Sequence, residues 1–148
     1  TPRTPNGPPP QRGPQFRKLL TSGIPLGMSS DGMQISTMSP WINLYYAVTG
    51  KNALGVVING DQTIGRNDAM RLYTANNGWF LNAEDKLGTI EEGKLGDLVV
   101  ISGDYFDRRA VGDESIKDLR SVLTVVNGKV VYDDLDGRSK DYWKAGMP

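Results

Sequence analysis

Residues 16–32, FRKLLTSGIPLGMSSDG, decide how the rest of the chain is read. Phe16, Leu19 and Leu20 recur at the three- and four-residue spacings of a short helix, and Ser22-Gly23 ends it. Ile24-Pro25-Leu26-Gly27-Met28 is then an apolar run suited to a buried strand, closed by the turn formers Ser29-Ser30-Asp31-Gly32. Helix, tight turn, buried strand and polar turn is the rhythm of an α/β unit, in which functional groups gather at the carboxyl ends of strands. Asp31 stands at that end.

Upstream, TPRTPNGPPPQRGPQF packs Pro and Gly too densely for a helix or a central strand, because Pro lacks a donor and fixes φ. It reads either as a linker or as an extended crossing anchored by Phe16. Downstream, Ser39-Pro40 starts a helix over Trp41 to Val48 whose apolar residues wrap most of its circumference, so the helix is expected to be buried, with Gly50 ending it. A second helix is expected from about Arg66 to Asn77, capped by Gly65 or Asn67, with Ala69, Leu72, Tyr73 and Asn76 on one face and Gly78 as its stop. Near residue 80 the spacing changes to short β-branched runs. Strands are expected at Leu87 to Ile90 and Asp97 to Ile101, with one helical turn at Ile116 to Arg120. Val122 to Val126 and Lys129 to Tyr132 form a hairpin through Asn127-Gly128, the pair that best tolerates the positive φ angles of a type I′ turn. Three or four strands leave a face or an edge uncovered, so something else must cover this sheet. The tail from Asp133 to Pro148 is polar apart from Tyr142 and Trp143, which would dock it or let it fray.

Composition narrows the chemistry. The 148 residues carry 17 basic and 17 acidic side chains, no His and no Cys. Disulfides are therefore excluded, and so are Cys/His zinc sites, Ser-His-Asp triads and Cys-His nucleophiles built from this chain alone. Zero formal net charge, with basic residues clustered only in pairs, gives no electrostatic reason to expect nucleic acid or an acidic membrane as a partner. No run approaches the roughly 20 apolar residues of a membrane-spanning helix. The chain begins at Thr1, so either an upstream segment was removed or this is a piece of a longer polypeptide. The compartment stays open, with the cytoplasm favoured.

Four segments in order, FRKLLTSGIPLGMSSDG, AMRLYTANNGWF, LGTIEEGKLGDLVVISGDYF and LTVVNGKVVY, resemble the C-terminal third of the amidohydrolase superfamily. The resemblance is to its metal-dependent branch that includes N-substituted formamide deformylases, and it spans most of residues 16 to 132. It implies a mixed α/β chain: the last strand and flanking helices of a (β/α)8 TIM barrel, followed by the C-terminal part of a small β-sandwich. Residues 1–15 would be a Pro/Gly-rich extended segment, 16–80 the C-terminal part of the barrel domain and 81–148 the C-terminal share of the sandwich. Ile24 to Ser30 would be the eighth barrel strand. The resemblance further implies a hydrolase of amide or cyclic amide bonds acting through a metal-activated water. A divalent metal, zinc above all, would serve the complete enzyme and not be held tightly by this chain. Asp31 occupies the position of the metal-contacting proton shuttle, and Gly32, Met33 and Gln34 could line a substrate pocket. The implied partners are the missing N-terminal part of the enzyme and a small amide substrate; separately, the uncovered sheet could pair with a second copy in a homo-oligomer.

Plainer accounts stand beside these. Ser-Ser-Asp-Gly is also an ordinary turn composition, and a mobile loop would explain Gly32 to Gln34 equally well. Gly93-Lys94 lacks phosphate-loop spacing and reads as a β-turn. Arg71, Tyr73 and Thr74 read as packing and surface positions. Asp104, Asp107, Asp113, Asp133, Asp134 and Asp136 lack calcium-loop spacing and read as solvated. Glu92, Gly96 and Gly65 depart from the residues common in the family, and His-x-His and the barrel Lys segment are absent. Without them the chain alone is expected to be inactive. The alternative is a non-catalytic β-rich module that keeps the fold for assembly or binding.

Overall fold

The computed structural model describes residues 13–33, 37–137 and 140–141. Gln34, the first twelve residues, Tyr142 and Trp143 lie outside them. The element order is α1 (Phe16–Thr21), α2 (Pro40–Thr49), a 3-10 turn (Gly60–Gln62), α3 (Arg66–Tyr73), α4 (Ala75–Phe80), β1 (Leu98–Ile101), a 3-10 helix (Asp113–Asp118), β2 (Ser121–Val126), β3 (Lys129–Asp133) and β4 (Lys140–Asp141).

α2 is the central helix. Pro40 occupies its first turn, where a missing donor costs nothing. The Ser39 hydroxyl makes no cap bond; its carbonyl instead accepts from Asn43 Nδ2 at 3.2 Å. Gly50 ends the helix at φ 70°, donating to the Tyr46 carbonyl at 2.8 Å. Trp41, Leu44, Tyr45 and Ala47 are buried, as the apolar wrap of this helix demands. They form one core with Met28, Ile64, Ala69 and Leu72, and with Tyr105, Val111, Ile116 and Leu119 from beyond residue 80. The 3-10 helix Asp113–Asp118 thus packs back against α2, with Ile116 fully buried.

The helix expected over 66–77 is two helices. Thr74, at φ −125° and ψ −90°, interrupts it, and its hydroxyl donates back to the Met70 carbonyl at 2.8 Å. Such back-bonding offers the backbone an alternative to the helical ladder. Gly78 is therefore inside α4 and is no stop; a Cβ there would meet the Leu87 carbonyl at 3.0 Å, so it admits the chain that passes over it. The strand expected at Leu87 to Ile90 is a turn. Gly88 takes φ 93° with its backbone close against Ala75.

The sheet is antiparallel in the order β1-β2-β3-β4. The β2–β3 hairpin turns at Asn127 (φ 48°) and Gly128 (φ 74°), the expected pair. Asp97 Oδ1 accepts the Asn127 N–H at 2.7 Å and Gly128 donates to the Gly96 carbonyl at 3.0 Å, which fastens the turn to the start of β1.

Candidate functional site

Residues 24–30 are extended, with no ladder to another strand among the described residues. Helices α3 and α4 hold them from behind. Met28 donates to the Leu72 carbonyl at 2.9 Å, and the Asn76 and Asn77 amides donate to the Leu26 and Met28 carbonyls at 2.9 and 3.1 Å. A side-chain amide can do this because it supplies donors where a neighbouring strand would otherwise supply backbone N–H groups.

The segment runs out at Asp31, which is exposed. Asp31 takes φ 48° and Met33 φ 81°, both in the left-handed region. Asp tolerates that region better than most residues; for Met the strain is of the order of 1–3 kcal/mol. The Gly32 N–H donates to Ser30 Oγ at 3.1 Å. A Cβ on Gly32 would stand 2.8 Å from Met38 Cγ, 3.0 Å from Ser30 Oγ and 3.1 Å from Met38 Cα, so the turn is closed on both sides. Met33 projects outward at 83% exposure.

Gly27, Met28 and Ser29 separate two open spaces. The larger, about 660 Å³, is bounded by Phe16, Ile42, Asn43, Tyr46, Ile58 and Lys51, among others, and reaches Ser30. The smaller, about 360 Å³, lies against Asn77, Phe80 and Leu81. Asp31, Gly32 and Met33 line neither space. Phe16 meets Tyr46 edge-on at 5.9 Å between ring centroids, and Asn59 Nδ2 donates to the Pro14 carbonyl at 2.8 Å. Residues 14–16 are a tight turn into α1, with the Phe16 N–H bonded to the Pro14 carbonyl at 3.0 Å, and most of the stretch expected as a linker or an extended crossing lies outside the described residues.

Lys51, on the rim of the larger space, is ion-paired to Glu114, which also accepts the Tyr45 hydroxyl at 2.9 Å. The hydrogen bond from Lys51, and then that from Tyr45, holds the Glu114 carboxyl below its ordinary range. The same bond to Glu114 raises Lys51. A lysine kept charged in this way is a poor nucleophile.

Sequence reasoning missed a second network. The Arg66 guanidinium, 5% exposed, donates to the carbonyls of Tyr105 and Val111 at 2.5 and 2.7 Å and to Asp113 Oδ1 at 2.7 and 2.9 Å. Asp113, read as solvated, is thus the partner of a buried cation. Nothing in the local sequence signals a pairing across 47 positions. Asp104 and Asp107 serve turns, accepting from the backbone N–H groups of Phe106 and Arg109 at 2.9 and 2.8 Å. Lys94 is spent on its own turn, bonding the Glu84 carbonyl at 2.8 Å and Thr89 Oγ1 at 2.5 Å.

A model of the amidohydrolase family matches residues 2–132, from the start of the chain to the end of its hairpin. The chain belongs to the amidohydrolase family. It is 28% identical over 117 residues to an N-substituted formamide deformylase of Arthrobacter pascens, covering 79% of this chain and 21% of that protein. It is 29% identical over 121 residues to YtcJ of Bacillus subtilis (strain 168), described as an amidohydrolase, covering 80% and 22%. The chain thus spans about a fifth of the length of the curated relatives it matches. A crystal structure of an amidohydrolase from Thermotoga maritima MSB8 shares its fold, with a TM-score of 0.56 and 24% identity over 80% of this chain and 25% of that one. In this amidohydrolase chain, then, the order of the four matching segments was the informative signal, and no single residue was.

Proposed function

We propose that the chain is the C-terminal part of a metal-dependent amidohydrolase that hydrolyses non-peptide carbon–nitrogen bonds, amides or cyclic amides, with Asp31 carrying the proton. The observation that supports this most directly is Asp31 itself. It stands in a constrained turn at the end of an extended segment, residues 24–30, that has open space on either flank and no strand paired with it among the described residues. In the proposed whole, residues 16–80 belong to a barrel whose other strands fill those spaces, and the chain from 81 onward belongs to a sandwich completed by the N-terminus.

Among the described residues no three His, Cys, Asp or Glu side chains converge as a metal site would require. Asp31 offers one carboxylate, which does not hold a divalent ion by itself. Zinc or another divalent metal would therefore depend on ligands from the rest of the polypeptide, and this chain alone would be inactive. The share of Asp31 is proton transfer. Its carboxylate accepts a proton from the attacking water and returns it to the departing nitrogen, so that an amine leaves in place of a poor amide anion.

N-substituted formamides, named for the Arthrobacter relative, and cyclic amides are the substrates to try first. In the complete polypeptide that carries this chain, Asp31→Asn should lower kcat by about 10²- to 10⁴-fold, the range of general acid–base contributions. Full activity in that variant would remove Asp31 from the mechanism.

A further inference from the structure

We propose that Ser30 is the positioning residue of Asp31. The inference rests on the reading of Asp31 as the proton carrier, and it concerns what holds that carboxylate in place. Asp31 has a left-handed backbone, which Asp enters more readily than most L residues but which a local bond still helps to hold. Among the described residues, a side-chain bond does cross this turn, from the Gly32 N–H to Ser30 Oγ at 3.1 Å. It spans the residue that needs fixing. A serine hydroxyl accepting from the N–H two positions on closes a small ring around the intervening residue, and so sets its φ and ψ.

The far side of the turn is closed as well. A Cβ at Gly32 would press on Ser30 Oγ at 3.0 Å and on Met38 Cα at 3.1 Å. Gly32 thus lets the chain at Met38 approach closely and keeps the Ser30 hydroxyl against its own N–H. The carboxylate is on neither residue, so the turn can be loosened without altering the group that carries the proton. An acid–base group displaced by even an ångström loses much of its effect, because the reacting atoms must lie within hydrogen-bond reach.

The test uses the complete polypeptide and initial-rate kinetics on a formamide or cyclic amide. Ser30→Ala should lower kcat about 10- to 100-fold with KM little changed, the loss expected of misplacement. Ser30→Thr, which keeps the hydroxyl, should restore most of kcat. Gly32→Ala should match Ser30→Ala, since its methyl group would push the hydroxyl aside. If Ser30→Ala does not fold, Ser30→Cys replaces it, being close in size but a poor acceptor, with the same loss expected. An inactive Asp31→Asn together with an unimpaired Ser30→Ala, or Ser30→Cys, would overturn this inference alone. A fully active Asp31→Asn would overturn it together with the reading on which it rests. A merely structural role would lower the amount of folded enzyme and leave kcat per folded molecule unchanged, so kcat normalised to folded protein separates the two.

Discussion

Tyr105 and Arg66 hold one another. The Tyr105 hydroxyl donates to the Arg66 carbonyl at 3.1 Å while the Arg66 guanidinium donates to the Tyr105 carbonyl and lies 5.5 Å from the Tyr105 ring centroid. Burial pushes the Tyr105 hydroxyl up to about 12; Asp113 adds to the shift and Arg66 opposes it. The phenol of the unfolded chain ionises near pH 10. A group whose pKa is higher in the folded state contributes stability that is fully present below the unfolded value, and loses it as pH rises through the folded one. Tyr105 therefore favours folding up to about pH 10 and ceases to do so by about pH 12. Tyr105→Phe, which loses one buried hydrogen bond, should be about 1 kcal/mol less stable at neutral pH. That deficit should shrink above about pH 10 and then reverse, because phenylalanine has no proton to lose. Urea midpoints taken across this range would decide it, and a deficit that stays constant with pH would refute the assignment. None of this could be read from sequence, since Arg66, Tyr105 and Asp113 meet only after the chain between them has folded.

The elements divide by how local their determinants are. The Asn127-Gly128 turn and the Gly50 helix end are specified by one or two residues whose positive φ is intrinsically cheap, and both stand where the sequence puts them. The break at Thr74 and the loss of a strand at 87–90 depend on neighbours: a hydroxyl that bonds back to Met70, and Gly88 pressed on Ala75. Periodicity records neither. At the site, the proposal for Asp31 draws on the order of the surrounding segments, whereas the amides of Asn76 and Asn77 that hold residues 26–28 were not legible, because they lie about 50 positions away. Those amides carry a prediction of their own. Asn77→Ala removes the donor to the Met28 carbonyl and should cost about 1 kcal/mol. It should also speed hydrogen exchange at the Met28 N–H, which is bonded to the Leu72 carbonyl in the same patch. Unchanged exchange at Met28 would mean that the Asn77 amide does not help to hold the segment.

At the scale of the molecule, one core and several uncovered faces coexist. Trp41, Leu44, Tyr45, Leu72, Tyr105 and Ile116 close a shared interior. Yet Leu54, Val56, Val57 and Ile58 are each more than half exposed, as are Trp79 and, beside the smaller open space, Phe80 and Leu81. β1, at the edge of the sheet, shows Leu98, Val99 and Val100 to solvent. Contiguous apolar surface and an unpaired strand edge invite association, and soluble chains seldom leave both uncovered. If these faces are where the rest of the polypeptide packs, their exposure should be a property of the isolated 148 residues and not of the complete protein. The isolated chain should bind a hydrophobic dye such as ANS and self-associate in sedimentation as concentration rises. The complete polypeptide, at equal molar concentration, should bind several-fold less dye and sediment as a defined species. A dye-silent, monodisperse monomer of the isolated chain would contradict the proposed packing, because apolar area of this extent would have to be hidden by the chain's own residues, which the described ones do not do.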